Sequence, residues 1–313
     1  MNILVTGGAG FIGSHLCEAL LARGEQVTAL DNFDPFYDPQ VKRVNLAGCL
    51  ASPLFTLVEG DIRDIEKVGE VFADGDFDMV VHLAARAGVR PSMEDPLAYQ
   101  DVNVRGTMVL LEAARQFEVK KFIFASSSSV YGNNQKVPFS ESDCVDFPIS
   151  PYAATKKACE LLCYTYSYLF GIDHTCLRFF TVYGPRQRPD LAIHKFMRLI
   201  EAGRPIPVFG DGSSRRDYTY VDDIIQGVLA AMDRCQGYRI YNLGHSQPIA
   251  LADLIAQIEA VLGKKGKIDR QPAQPGDVDC TYADVSRART ELGYEPKVRL
   301  EEGLERFVAW FRV

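Results

Sequence analysis

The chain has 313 residues, a formal net charge of -7 and 47% hydrophobic residues. This length and composition allow a substantial core, either in one large α/β domain or in a nucleotide-binding domain with a smaller partner. The acidic net charge argues against a nucleic-acid partner, because phosphate backbones bind basic surfaces. No stretch approaches the roughly 20 apolar residues that span a bilayer. We therefore expect neither a nucleic-acid partner nor a membrane segment.

The chain opens on a strand pattern and shows no charged leader with a cleavage site. Its eight cysteines are scattered, and no CxxC motif occurs among them. Cys159 and Cys163 are four residues apart on a predicted helix, which could bring two thiols onto one face. Because no histidine or further cysteine clusters nearby, we predict packed thiols and no metal site. These features favour a reducing cytoplasm.

Apolar runs of strand length alternate with longer helical patterns from the start of the chain. In chain order, the predicted strands are 3–6, 26–30, 55–59, 79–83, 121–125 and 174–178, and later 238–243. The predicted helices are 12–21, 65–72, 104–115, 152–170 and 221–232. This alternation predicts a mostly parallel, doubly wound α/β sheet with helices on both faces.

A Pro/Gly-rich stretch and the C-terminal region interrupt this alternation and suggest a second lobe. We predict a Rossmann domain of residues 1–180 with about 217–246. Residues of about 181–216 and 247–313 are predicted to form a smaller C-terminal, substrate-binding lobe.

A glycine-rich turn lies between the first strand and the first helix. Gly7, Gly10 and Gly13 are three residues apart, and Gly8, Gly10 and Gly13 also satisfy the GxGxxG fingerprint. Glycine is needed there because a side chain would hold the backbone away from a pyrophosphate. The N–H groups at the start of the helix would then face the phosphates. The turn predicts a dinucleotide site.

The second strand ends at Asp31, which follows Gly13 at the spacing expected for an acid that binds the ribose hydroxyls. Its carboxylate would repel a 2′-phosphate, and no arginine follows directly in the sequence. We therefore predict NAD rather than NADP. Asp61 and Ile62, after the third strand, are placed to contact the adenine, and His82 is expected to be a hydrogen-bonded core histidine.

Tyr152 and Lys156 are four residues apart on one face of a predicted helix. A phenol is a weak base near neutral pH, and a nearby ammonium together with a positive nicotinamide ring would lower its pKa. The run Ser126–Ser129 follows a predicted strand, at the edge where parallel sheets bind ligands. These hydroxyls could donate hydrogen bonds to a sugar.

The order of these motifs resembles the extended short-chain dehydrogenase/reductase group, which contains the nucleotide-sugar epimerases and dehydratases. The resemblance covers essentially the whole chain and includes the segments 130–132 and 216–218. It implies that Ser127 is the catalytic hydroxyl, Tyr152 the base and Lys156 the residue that tunes it. The cofactor contacts that it implies are Gly7, Gly10, Phe11, Ile12, Gly13, Asp31, Asn32, Asp61, Ile62, Leu83, Ala84, Ala85, Asn103, Ser126, Tyr152, Lys156 and Phe180.

Members of this group share one first step, in which a sugar C4 hydroxyl is oxidised to a ketone. Related dehydratases carry Asp-Glu, and decarboxylases carry Glu, where this chain has Ser128 and Ser129. Without an added acid–base group, the expected outcome is epimerisation at C4. Segments 34–38, 82–92 and 177–185 resemble the UDP-glucuronate 4-epimerases, and Ser128, Ser129 and Thr181 could hydrogen-bond the glucuronate carboxylate.

The resemblance also implies the remaining contacts of a UDP-sugar. Arg188 and Arg216 are expected to bind the diphosphate and Asp277 the uridine ribose, while Arg90 belongs to the predicted substrate contacts. Thr281 falls near a position that limits sugar size. The alternatives are a UDP-glucose or UDP-N-acetylhexosamine 4-epimerase, a decarboxylase, a dehydratase and a nonenzymatic NAD-dependent regulator. A homodimer through helices 104–115 and 152–170 is also expected.

Overall fold

The computed structural model describes residues 1–272 and 278–312. Its strands are β1 (Asn2–Thr6), β2 (Gln26–Asp31), β3 (Phe55–Glu59), β4 (Met79–His82), β5 (Lys121–Ser127), β6 (Asp173–Phe179), β7 (Thr181–Tyr183), β8 (Pro205–Phe209), β9 (Arg215–Tyr220), β10 (Tyr238–Leu243), β11 (Pro248–Ala250) and β12 (Lys267–Gln271). Its α-helices are α1 (Phe11–Ala22), α2 (Pro39–Asn45), α3 (Ala47–Leu50), α4 (Ile65–Gly75), α5 (Val89–Glu94), α6 (Pro96–Tyr99), α7 (Gly106–Gln116), α8 (Pro151–Phe170), α9 (Ala192–Glu201), α10 (Val221–Asp233), α11 (Leu251–Leu262), α12 (Ser286–Leu292) and α13 (Leu300–Phe311).

The central sheet has seven strands in the order β10-β6-β5-β4-β1-β2-β3. Every pair of neighbours in it is parallel. All the predicted strands belong to this sheet, each within two residues of its predicted ends, so the prediction of a doubly wound parallel sheet is confirmed. The strand order reverses between β1 and β4, and ligands of such sheets bind beside this reversal, at the carboxyl ends of the strands.

Both faces of the sheet are covered by buried apolar side chains. Ile3 and Val5 of β1 lie in one hydrophobic cluster and Leu4 lies in the other. A strand that is buried on both faces is apolar throughout rather than alternating, which is why short apolar runs marked the strands. His82 at the end of β4 hydrogen-bonds with Thr6 and Thr107 at 2.7 and 3.0 Å, which confirms the core histidine.

Helix α8 has clear sequence signals at both ends. The Ser150 hydroxyl accepts a hydrogen bond from the Ala153 N–H, Pro151 occupies the first turn, and Gly171 ends the helix in the left-handed conformation. These signals place Tyr152 in the first turn and Lys156 in the second. Cys159 and Cys163 are buried along its inner face, as predicted.

The predicted helix 104–115 differs from the structure at its start. Residues Gln100–Arg105 form a π-helix, and the α-helix α7 begins only at Gly106. Asn103, inside the π-helical segment, leaves its main-chain oxygen to the Thr107 hydroxyl and the Cys159 thiol. A wider turn of this kind keeps the helical pattern of apolar residues, so the sequence pattern could not separate it from α-helix.

The C-terminal elements form two small sheets, β11-β9-β7 and β12-β8. Helix α11 packs against α9 and α13. Asp217 in β9 is fully buried, and its carboxylate accepts hydrogen bonds from the N–H groups of His245, Ser246 and Ala283 at 2.8 to 3.0 Å. These bonds join β9 to the segment after β10 and to the chain beyond residue 278. The division into two domains remains a prediction.

The described residues contain neither a membrane-spanning helix nor a metal-binding cluster. Within residues 1–272 and 278–312, no helix is long and apolar enough to cross a membrane. Over the same residues, no group of three or more His, Cys, Asp or Glu side chains is arranged to hold a metal ion.

Candidate active site

A cleft of about 510 Å³ lies at the carboxyl ends of the central strands. It runs from the loops after β1, β2 and β3 to the loops after β4, β5 and β6, so it crosses the reversal of strand order. Most of the residues predicted from the sequence line it together. They are Gly7, Gly10, Phe11, Ile12, Gly13, Asp31, Asn32, Asp61, Ile62, Leu83, Ala84, Ala85, Ser126, Ser127, Ser128, Ser129, Tyr152, Lys156, Phe180, Thr181 and Arg188.

The glycine turn leaves no room for side chains. A Cβ on Gly7, whose φ is +72°, would lie 2.7 Å from the Ala84 nitrogen, and a Cβ on Gly13 would lie 2.1 Å from the Gly7 oxygen. The turn therefore packs directly against the loop after β4 and against the first turn of α1. This close approach exposes the helix N-terminus to the cleft, which is the geometry required to hold a pyrophosphate.

Asp31 ends β2 at the same end of the cleft. Its carboxylate accepts hydrogen bonds from the N–H groups of Ala9 and Phe33 at 3.1 and 2.9 Å. Burial raises its pKa, while the Lys42 ammonium, 3.9 Å away, and the two N–H groups oppose this rise. Lys42 lines the cleft but was not predicted, because it lies on α2 and reaches Asp31 only through the fold.

Asp61, the acid after β3, is fixed by its neighbours. The Arg63 guanidinium donates to both of its carboxylate oxygens at 2.9 and 2.8 Å, and the Asn32 amide donates at 2.9 Å. The hydrogen bonds from Arg63 lower the pKa of Asp61 to about 2. Asp61 is therefore a fixed anion at the end of the cleft where a base or ribose would lie.

Ser127 and Tyr152 meet at the other end of the cleft. The Ser127 hydroxyl donates to the Ser129 hydroxyl at 3.1 Å, and it lies close enough to the Tyr152 phenol to affect its pKa. Burial raises the pKa of Tyr152, while the Ser127 hydroxyl and the Arg188 charge lower it. The structure thus joins a strand-end hydroxyl and a first-turn phenol, as the sequence order suggested. The edge of the Tyr99 ring packs against Tyr152, with ring centroids 6.2 Å apart.

The Lys156 ammonium contacts the strand that carries Ser127. It donates to the Ala125 carbonyl at 2.7 Å and lies 4.9 Å from the centroid of the Phe124 ring. Burial lowers its pKa to about 8. Arg188 contributes a positive charge that lowers the pKa of the Tyr152 phenol, and the effect of Lys156 on that phenol stays a prediction.

Ser128 and Ser129 lie in a 3-10 turn, Ser128–Tyr131, directly after β5. Both serines are half-buried and line the cleft, as does Thr181 at the start of β7. The carboxylates that line the described cleft are those of Asp31, Asp34 and Asp61. Asp31 and Asp61 end or follow β2 and β3, on the far side of β1 from β5. The described carboxylates of the lining thus all come from the end of β2 and the loops after β2 and β3, whereas Ser128, Ser129 and Thr181 contribute hydroxyl groups from the chain after β5 and β6.

Arg188 is the predicted arginine that reaches the cleft. Its guanidinium pairs with Asp190 at 2.8 Å and lies 5.2 Å from the centroid of the Phe36 ring. Tyr37 and Arg86 also line the cleft and were not predicted. Their sequence neighbourhoods carried a family resemblance but gave no chemical signal for a role.

Four predicted positions lie elsewhere, and a fifth lies outside the described residues. The Asn103 amide is bound to the main chain of Arg86 and to the Thr155 hydroxyl, so it holds the cleft wall from behind. Arg90 stacks on the Phe209 ring at 4.3 Å. The remaining three positions are Arg216, which bonds the Arg215 carbonyl, Thr281, whose hydroxyl accepts from the Asp217 N–H, and Asp277, which lies outside the described residues.

The sequence and the fold match known proteins over nearly their full length. The family model described as GDP-mannose 4,6 dehydratase matches residues 4–307. A UDP-glucuronate 4-epimerase of Thermodesulfobacterium geofontis is 45% identical over 308 residues, which cover 98% of this chain and 95% of that protein. The chain therefore belongs to the GDP-mannose 4,6 dehydratase family of NAD-dependent epimerases and dehydratases.

Two solved structures have the same fold. UDP-glucuronic acid 4-epimerase from Bacillus cereus, in complex with UDP-glucuronic acid and NAD, has a TM-score of 0.95 and 38% identity over 100% of this chain and 99% of that chain. UDP-glucose 4-epimerase from Thermotoga maritima, with UDP-glucose, has a TM-score of 0.93 and 36% identity, again over 100% and 99%. The fold alone does not separate the two sugars.

Proposed function

We propose that the protein is an NAD-dependent isomerase that epimerises UDP-glucuronate at C4 to give UDP-galacturonate. The observation that carries this proposal is the reacting end of the cleft. There Ser127 and Tyr152 line the cleft together with Ser128, Ser129 and Thr181, while the described carboxylates of the lining come from the end of β2 and the loops after β2 and β3. The similarity to UDP-glucuronate 4-epimerases over the whole chain supports the same substrate.

The dinucleotide end of the cleft fits NAD. Gly7 and Gly13 pack so closely on neighbouring backbone that a Cβ would not fit, so the main chain of this turn lines the cleft where a pyrophosphate would bind, and Asp31 is proposed to bind the ribose hydroxyls. When bound, NAD accepts the C4 hydride of the sugar and later returns it, which no protein side chain can do. The residues that we propose to hold it are the cofactor contacts predicted from the sequence that line the cleft.

Tyr152 is proposed as the base that removes the proton of the C4 hydroxyl. Ser127 is placed to hydrogen-bond the same hydroxyl, and the Arg188 charge favours the phenolate. The oxidised sugar is a 4-ketone. The keto sugar then rotates in the cleft. Hydride addition to its other face and return of the proton by Tyr152 give the C4 epimer.

The hydroxyl groups beside Ser127 do not support elimination of water from the 4-keto sugar. Elimination of water needs an acid and a base next to the sugar, and Ser128 and Ser129 supply neither at neutral pH. The same hydroxyls can donate hydrogen bonds to the C5 carboxylate, where an Asp or Glu would repel it. The 4-keto intermediate is therefore left to recover its hydride.

The proposal is tested by incubating the purified protein with UDP-glucuronate, UDP-glucose or UDP-N-acetylglucosamine without added NAD. Because the cofactor is expected to be retained through turnover, the reaction should proceed without added NAD. We expect NMR to show that UDP-glucuronate is converted to UDP-galacturonate with the highest kcat/KM of the three reactions. A UDP-pentose would instead indicate a decarboxylase, and a stable 4-keto product would indicate a dehydratase. Faster turnover of a neutral sugar would favour the UDP-glucose or UDP-N-acetylglucosamine 4-epimerase.

We also propose that the protein is a homodimer. The outer face of α8 exposes Leu161, Tyr164, Tyr168, Leu169 and Phe170, each by 45 to 77% of its surface. Such a contiguous apolar face is typical of an interface between subunits. Light scattering should give the mass of a dimer for the wild-type protein and that of a monomer for Tyr168→Lys with Leu169→Glu. A monomeric wild-type protein would contradict the proposal.

A cytoplasmic location is proposed from the thiol chemistry. All eight cysteines are free, and most of them are buried. Free thiols persist in reducing compartments, whereas secreted proteins tend to oxidise them. Cell fractionation with an antibody to the chain tests this, and recovery outside the cytoplasm would contradict it.

A further inference from the structure

The buried ion pair of Glu160 and Arg178 lies next to the proposed catalytic groups but has no part in the mechanism above. Glu160 is on α8, one turn beyond Lys156 and two turns beyond Tyr152. The Arg178 Nε and Nη2 atoms donate to its two carboxylate oxygens, both at 2.9 Å, and the side chains are at most 2% exposed. Buried ion pairs often stabilise a fold no better than apolar residues of similar size. Stability alone is therefore a weak reason for this pair.

The pair fixes the end of strand β5 to helix α8. The Ser126 hydroxyl donates to Glu160 at 2.6 Å, and the Lys156 ammonium donates to the Ala125 carbonyl at 2.7 Å. Both bonds hold the residues just before Ser127, whose hydroxyl lies beside the Tyr152 phenol and affects its pKa. These bonds thereby fix the position of the Ser127 hydroxyl relative to the Tyr152 phenol.

The pair also fixes the far end of the serine turn. Arg178 Nη1 donates to the Tyr131 phenol oxygen at 2.9 Å, and the guanidinium carbon lies 4.8 Å from the centroid of the Tyr131 ring. The Tyr131 phenol then donates to the Asn242 side chain at 2.7 Å. Tyr131 is the last residue of the turn that begins at Ser128, so the turn is held at both ends.

We propose that Glu160 and Arg178 are positioning residues that hold Ser127 and the turn Ser128–Tyr131 at a fixed distance from Tyr152. This inference rests on the proposed C4 chemistry, because it assigns the pair a role in orienting the sugar between the phenol and the serine hydroxyls. Small displacements of reacting groups reduce rates steeply. The pair should therefore act on kcat much more than on KM.

The pair has a second, electrostatic effect on Lys156. The groups that face its ammonium are Glu160, Cys159 and Cys163 from its own helix, His82 from β4, and the carbonyl and ring of β5. Burial lowers the pKa of His82 to about 3, which leaves it neutral near pH 7. The Glu160 carboxylate opposes the fall in the pKa of Lys156 that burial causes. It thus favours the charged form of Lys156.

Ser126→Ala tests the positioning directly, because it removes one hydroxyl and leaves the ion pair intact. We expect kcat per NAD-loaded site to fall by about tenfold while KM stays within about twofold. The matched control is Thr175→Val, which removes a buried hydroxyl that donates to the Cys235 thiol from the amino-terminal half of β6, away from the Glu160 carboxylate. A kcat for Ser126→Ala that equals that of the control would overturn the inference.

The second variant is Glu160→Gln with Arg178→Met, which removes both charges and so leaves no unpaired ion buried. It should lower kcat at least as much as Ser126→Ala. The loss of the Glu160 carboxylate should lower the pKa of Lys156. The fall of kcat that accompanies deprotonation of Lys156 at alkaline pH should therefore also move to lower pH. A merely structural pair would change the yield of folded enzyme but not this pH profile. An unmoved profile, with folded protein confirmed by circular dichroism, would contradict the electrostatic part.

The wild-type enzyme separates this inference from the proposed function. Its turnover of the three UDP-sugars first identifies the substrate, and the variants are then assayed with whichever sugar it epimerises. A failure of UDP-glucuronate to react would overturn the proposed substrate only. Equal kcat values for the wild type and Ser126→Ala on the sugar that does react would overturn the positioning role only.

Discussion

The two ends of the cleft are built from different parts of the chain's chemistry. The dinucleotide end is made of main chain, since Gly7 and Gly13 approach neighbouring backbone atoms more closely than any side chain allows. The reacting end is made of side chains, with the hydroxyls of Ser127, Ser128 and Ser129 held by a buried ion pair beneath them. We propose that the first end binds the cofactor and that the second determines which sugar reacts.

This difference predicts different responses to substitution. A backbone site tolerates no added atom, so a single methyl group removes it. A site of hydroxyls keeps its shape when one group is exchanged, so its responses depend on charge and on the substrate. The following four substitutions examine these contrasts, in order of decreasing expected effect.

Tyr152→Phe removes the phenol oxygen at the reacting end and should leave the dinucleotide end intact. We expect kcat/KM to fall by about 10³-fold, within the range of general acid–base catalysis. The amount of bound NAD, measured after denaturation of the purified protein, should be unchanged. Retention of full activity would refute the assignment of Tyr152 as the base.

Gly13→Ala should abolish the dinucleotide end, because the new Cβ would lie 2.1 Å from the Gly7 oxygen. We expect the purified protein to carry about tenfold less NAD or none, with activity reduced in proportion. Gly69→Ala is the matched control, since it adds the same methyl group to a helix with no atom within 4 Å. That control should be neutral or stabilise the fold by about 0.5–1 kcal/mol. Equal NAD content in the two variants would show that the turn is not the cofactor site.

Ser128→Glu places a carboxylate where the glucuronate carboxylate is proposed to bind. We expect kcat/KM for UDP-glucuronate to fall by about 10- to 100-fold, because like charges repel in a cleft of low polarity. Activity with a neutral UDP-sugar should fall much less. Ser142→Glu adds the same charge to an exposed loop and serves as control. Unchanged kinetics with UDP-glucuronate would remove the argument from the missing acids.

Arg23 lies far from both ends of the cleft. The substitution Arg23→Gln therefore measures the effect of a surface change that does not touch the cleft. Arg23 pairs with Asp233 at 2.7 Å on the surface between α1 and α10. Exposed pairs of this kind contribute about 0–1 kcal/mol, so the free energy of unfolding should change by less than about 1 kcal/mol. Denaturant unfolding measures this change, and kcat should not move. A larger loss would mean that α1 depends on this surface contact.

The sequence predicted the central sheet well because its strands are buried on both faces and are apolar throughout. It could not predict the π-helix before Gly106, because a wider turn leaves the pattern of apolar residues nearly unchanged. It also missed Lys42, which meets Asp31 only when α2 folds back over the cleft. Contacts that depend on the path of a loop carry no local signal.

The site residues show the same division. Residues in motifs with a fixed local geometry, such as Gly13 and Tyr152, line the cleft. Asn103 and Arg216, carried over from the family pattern, lie behind or beside it, because their polar groups bind neighbouring main-chain atoms instead. Their roles in binding remain predictions, as does that of Asp277. The Lys156 ammonium binds the Ala125 carbonyl, and its expected effect on the Tyr152 phenol also remains a prediction.

The buried carboxylate of Asp217 also limits how the chain can be shortened. Its charge is stabilised by hydrogen bonds from the main-chain N–H groups of residues 245, 246 and 283, which come from two segments far apart in sequence. A truncation before residue 283, or a proteolytic cut that releases the last segment, would remove one of these donors and leave the anion partly unsolvated. We therefore expect a chain that ends before residue 283 to be less stable than the full chain.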